Sequence, residues 1–93
     1  MKPSEVLLAA KALIDAPSKW CQGVIHQAPN KYSPLGAMII VDQPMAFEAS
    51  IYFRKVLAPE EEIGTWNDDP VRTHEQVMET FDRAIALAES KGS

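Results

Sequence analysis

Cys21, His26, His74 and Asn67 give this 93-residue chain the side chains of a thiol hydrolase. In such an enzyme a histidine takes the thiol proton, the thiolate attacks a carbonyl carbon, and an amide orients the histidine. Distance along the chain decides nothing, because the triad is recognised by geometry. Cys21 follows Trp20 with no glycine-rich elbow around it, and His74 falls in the first turn of a helix, where a polar residue is simply exposed. The expectation is therefore no enzyme, with a cysteine-dependent hydrolase as the alternative from another class. The same residues do not make a metal centre. His26 and His74 are far apart, no HExxH or CxxC occurs, and Asp68, Asp69 and Glu75 lack the alternating acidic spacing of a calcium loop. Cys21 is the only cysteine, which removes an internal disulfide and any multi-cysteine zinc site. Without GxGxxG or GxxxxGK[ST] there is no nucleotide motif either, and no cofactor is expected.

A second constellation is electrostatic. Residues 1–46 carry four lysines against Glu5, Asp15 and Asp42, whereas residues 47–93 carry five bases against ten acids, and the whole chain has a net charge of −4. Glu60, Glu61, Glu62, Asp68 and Asp69 fall in a stretch with no base. Such a run is ordinarily a solvated turn. Read functionally, with Arg72 beside it, it is a partner-binding patch. Nucleic-acid affinity rests on neutralising phosphates with Lys and Arg, so direct DNA or RNA binding is disfavoured and a protein with a basic surface is the better match. Trp20 and Trp66 admit two readings. They lie under the connections, with Gln22 and Asn67 satisfying nearby polar groups, or they line an exposed hot spot.

Helices must position these groups. Val6, Leu7, Ala10, Leu13 and Ile14 recur at helical spacing, with Ser4 placed to cap and Pro17 to stop. Residues 18–34 form a long irregular connection broken by Gly23, Pro29, Asn30 and Pro34. SPLGAMIIV at 33–41 suits a short helix through Pro34, although IIV would also suit a buried strand. Met45, Ala49, Tyr52, Phe53, Val56 and Leu57 mark a third helix ending before Pro59. EEEIGTWNDDP is a second connection. Thr73 with Gln76 is a capping box opening the last helix, whose apolar face is Val77, Phe81, Ala84, Ile85 and Ala88, with Glu79 and Arg83 paired opposite and Gly92 beyond its end. The fold class expected is all-α or nearly so, one domain over 1–93, a bundle of about four helices with two long Trp-containing connections. Apolar residues at 46% and charged residues at 24% fit a globular chain. No apolar run reaches the roughly 18 residues of a membrane span, and the first residues lack a secretory pattern, so no membrane partner and a cytoplasmic location are expected.

WCQG at 20–23, LGA at 35–37 and WNDDPVRTHEQVMETFDRAIALAE at 66–89 resemble, together and in order, a family of small bacterial and phage proteins known as a domain of unknown function. Its pattern runs W-x-Q-G, then C-A-L-G-A-L, then W-N-D with R-T-H and a helix containing F-D-R-A-I. The resemblance covers residues 5–90, and Ser33 stands where the family has cysteine, so any chemistry of that cysteine in relatives would be lost here. What it implies is a shared fold and a mobile or phage setting, with no activity or substrate. The reading is a small acidic accessory protein that acts by binding another protein, homo-oligomer formation being open and favoured if an apolar patch stays exposed around Tyr52 and Phe53. A sharper alternative is a phage-type inhibitor that occupies the nucleic-acid groove of a host defence or regulatory protein, imitating phosphates with carboxylates.

Overall fold

Ser33, Asp42 and Thr73 each accept a backbone N–H three residues ahead, from Gly36 at 3.1 Å, Met45 at 3.3 Å and Gln76 at 3.1 Å. Each thereby satisfies a donor that a helix start leaves without an intrahelical partner. The computed structural model describes residues 1–93. Its elements are α1 (Pro3–Leu13), a 3-10 turn (Pro17–Lys19), β1 (His26–Gln27), β2 (Lys31–Tyr32), α2 (Pro34–Val41), α3 (Gln43–Lys55), α4 (Ile63–Asp68) and α5 (His74–Ser90). The nearly all-α expectation holds, and 33–41 is helical. No helix is long and apolar enough to cross a membrane.

The core lies where α1, α2, α3 and α5 meet, built from Val6, Leu7, Ala10, Ile14, Ala37, Met38, Ala49, Phe53, Val77, Phe81, Ala84 and Ala88, all fully buried. Alanines at the crossings let the helices approach closely, and the larger residues fill the space between. Phe53 meets Phe81 edge-on at 5.0 Å between ring centres and Trp66 at 5.6 Å, the T-shaped arrangement that aromatic quadrupoles favour.

Several local expectations need correction. Ser4 does not cap α1. Its hydroxyl donates to the Ser93 carbonyl at 2.7 Å, tying the two ends of the fold, while the backbone N–H of Lys2 is taken by Glu5 at 2.7 Å. Arg83 is not paired with Glu79 but donates to the Val56 carbonyl at 3.0 Å, satisfying the C-terminal end of α3. The second connection is partly helical, with Trp66, Asn67 and Asp68 on α4. The first carries a minimal antiparallel hairpin, β1 with β2. Thr73 and Gln76 form the expected reciprocal cap, the Thr73 N–H donating to Gln76 at 3.0 Å. Gly92, at φ 76°, turns the chain after α5 as its position suggests.

Candidate functional site

Residues 20–23 and 66–72 carry most of the motif residues singled out above, and the fold brings the two stretches together. Asn67, on α4, is 1% exposed. Its Oδ1 accepts the Trp20 indole N–H at 2.7 Å and its Nδ2 donates to the Cys21 carbonyl at 3.1 Å. Gln22 donates to the carbonyls of Asn67 and Asp69 at 2.7 and 2.9 Å, satisfying the exit of α4. Asp68 accepts the N–H of Gly23 at 2.8 Å, and Gly23 adopts φ 84°, the left-handed region that favours glycine. Asp69 accepts the N–H of Val71 at 3.0 Å in a local turn. Arg72 donates through Nε to the Trp66 carbonyl at 2.9 Å and lays its guanidinium over the Trp66 ring at 4.1 Å. Asp69 and Arg72, read from the sequence as part of a partner-binding patch, both also hold this chain's own backbone.

The thiol-hydrolase ingredients are each engaged with other partners. Cys21 is buried, its sulfur points to the Val24 carbonyl at 3.5 Å, and burial pushes the thiol up from its ordinary pKa, against smaller lowering effects of Lys31 and a backbone hydrogen bond at Gln27. A raised pKa is the opposite of what a nucleophilic cysteine needs. His74 engages the Ile14 carbonyl through Nε2 at 2.7 Å, and His26 stacks on Tyr32 at 4.7 Å between ring centres. Both ends of the Asn67 amide are occupied within the clasp, so it orients no histidine.

The carboxylates of the acidic run also differ among themselves. Glu61 accepts the N–H of Ala58 at 3.2 Å, and Glu62 lies 3.7 Å from Arg54 in an exposed ion pair. Glu60 is exposed.

Glu62 and Arg54 lead to the feature that the sequence reading missed. A groove of about 440 Å³ runs between α2, α3 and α4, lined by Leu35, Ile39, Ala46, Phe47 and Ile63 on its apolar side and by Gln43, Ser50, Arg54 and Glu62 on its polar side. Leu35, Ile63 and Gly64 also line a second pocket of about 100 Å³, with Val24, Ile25, Asn67 and Asp68 among its walls. Phe47 is 74% exposed on the groove, and Val24 and Ile25 are 53% exposed on the second pocket. Phe53, in contrast, is fully buried, so the exposed apolar residues of α3 are Phe47 and Ile51. A signal existed in the sequence. Phe47 falls off the stripe formed by Ala46, Ala49 and Phe53, and a large apolar residue off the buried face of an amphipathic helix is an exposed one.

Gly36 shapes the same region. The carbonyl of Ile25 rests on the start of α2, accepting the Ser33 N–H at 3.0 Å, and a Cβ on Gly36 would come within 1.8 Å of that oxygen. The glycine of LGA is thus demanded by a backbone approach that holds Val24 and Ile25 against the groove. Gly64 is the opposite case, since a Cβ there meets nothing within 4 Å.

Residues 1–87 match a family described as a family of unknown function, DUF6197. No curated protein and no solved structure matches the chain.

Proposed function

The chain belongs to DUF6197, and because that family carries no activity to transfer, we propose from the site itself that the protein is an accessory protein that binds another protein in the groove between α2, α3 and α4. The carrying observation is a pair of adjoining pockets that share Leu35, Ile63 and Gly64, with the exposed Phe47 on one and the exposed Val24 and Ile25 on the other, and with the carboxylates of Glu62 and Asp68 among their walls. Exposed apolar surface bordered by polar groups is the usual character of a protein-interaction site. The partner segment that fits is amphipathic, with apolar side chains for the channel and basic residues toward Glu62 and the preceding Glu60 and Glu61. Those acids set on-rate and orientation more than affinity, because exposed charges are screened.

Inhibition by phosphate imitation is the weaker form of this reading. Asp68, Asp69 and Glu61 each commit oxygen to a backbone N–H of this chain, which breaks up any regular row of free carboxylates. Affinity capture from the native host at low and at high salt tests the proposal, with the triple variant Glu60→Lys, Glu61→Lys, Glu62→Lys alongside. Expected is a partner retained at high salt through apolar contact but captured more slowly by the triple variant. Capture that vanishes entirely with salt would place the binding in the charges alone and contradict the groove.

A further inference from the structure

The outer face of α3 is self-complementary, and we propose that two copies of this chain pair along it, antiparallel, about a two-fold axis through Ile51. Phe47 is 74% exposed and Ile51 37% exposed, on one face of the helix one turn apart. Flanking that face are Glu48, Arg54 and Lys55, all exposed. At about 100° of rotation per residue, Glu48 and Lys55 lie on one flank of Ile51, and Phe47 and Arg54 lie on the other.

In an antiparallel pair related by a two-fold axis, each flank meets its own copy, and residues equidistant from the axis are opposed. With Ile51 on the axis, Glu48 comes within one residue of direct opposition to Lys55 of the second copy, giving two symmetry-related ion pairs. On the other flank Phe47 meets Arg54 of the second copy, a cation on an aromatic face. Ile51 packs on Ile51 at the centre. A parallel pairing in register would turn each flank toward the opposite flank of the second copy, setting Lys55 beside Arg54 and Glu48 beside Phe47, so the charges favour the antiparallel orientation. The contacts these cations make within their own chain are loose ones. Arg54 lies 3.7 Å from Glu62, and Lys55 sits 5.7 Å over the Tyr52 ring, both at the surface, where such contacts are weak enough to be exchanged. A single helix pair is a small interface, which makes the dimer weak and concentration-dependent, and because it covers Phe47 and Arg54 it competes with the partner proposed for the groove.

Sedimentation velocity of the full chain, from micromolar concentration to about 1 mM, reads the association. Expected is a monomer–dimer equilibrium that Phe47→Glu weakens on the order of thirtyfold, with an unchanged circular dichroism spectrum because the side chain is exposed. Glu48→Lys and Lys55→Glu should each weaken it about threefold, and the double variant should regain the wild-type constant. A monomer throughout the range overturns the proposal. So does a dimer indifferent to Phe47→Glu, or a double reversal no better than the single ones.

Discussion

The Trp20 indole nitrogen donates to Oδ1 of Asn67 across 2.7 Å, joining the first connection to α4 through a side chain that is 1% exposed. Because Asn67 also holds the Cys21 carbonyl, Asn67→Ala strands two polar groups at once. Leaving buried hydrogen-bonding groups unpaired costs about 1–3 kcal/mol each. A loss near 3 kcal/mol in chemical denaturation is the expected outcome, and a loss below about 1 kcal/mol would mean that water replaces Asn67 freely.

Two glycines should respond in opposite directions. Gly36→Ala drives a methyl into the Ile25 carbonyl, so α2 and the hairpin must separate, at a cost of about 3 kcal/mol or more. Gly64→Ala, in the helical α4 with open space around it, should stabilise by up to about 1 kcal/mol. Thermal melts of the two variants side by side check both signs.

Trp66→Ala removes the ring that Phe53 meets edge-on and that Arg72 covers. Truncating a core tryptophan costs about 3–5 kcal/mol, which in a domain of this size lowers Tm by well over 10 °C. Equal melting temperatures with a lost partner would instead move Trp66 from core to interface.

Burial raises the Cys21 thiol pKa in the folded chain above its ordinary value of 9.0. A group whose folded pKa is raised contributes stability that is fully present below the unfolded pKa and is lost as pH rises through the folded one. Stability should therefore decline above pH 9, and less so in Cys21→Ser once each variant is referenced to its own value at pH 7. Alkylation of the native thiol at pH 8 should be much slower than that of the denatured chain. Rapid native alkylation would show Cys21 to be accessible and activated.

The helices were legible because their signals are local: apolar spacing in α1, α3 and α5, Pro34 at the start of α2, and the Thr73 and Gln76 cap. The site was less so. WNDD reads as a turn because Asn and Asp favour turns, but Trp66 and Ile63 have core to bury against, and tertiary packing makes the segment helical. The internal roles of Asp69 and Arg72 were hidden because their partners are backbone atoms, which no residue-type pattern announces. The groove belongs to three separate helices at once, and only their docking places Leu35, Phe47 and Ile63 along one channel.

Gly64 lines the groove, and a larger side chain there fills the channel while leaving the core untouched. The most direct measurement is the affinity of Gly64→Tyr for the partner captured by the wild-type chain, by isothermal titration calorimetry. Binding should fall on the order of a hundredfold, with a melting temperature no lower than that of the wild type, since a blocked anchor pocket removes hot-spot contacts. Wild-type affinity in a folded Gly64→Tyr protein would contradict the assignment of the groove as the binding site.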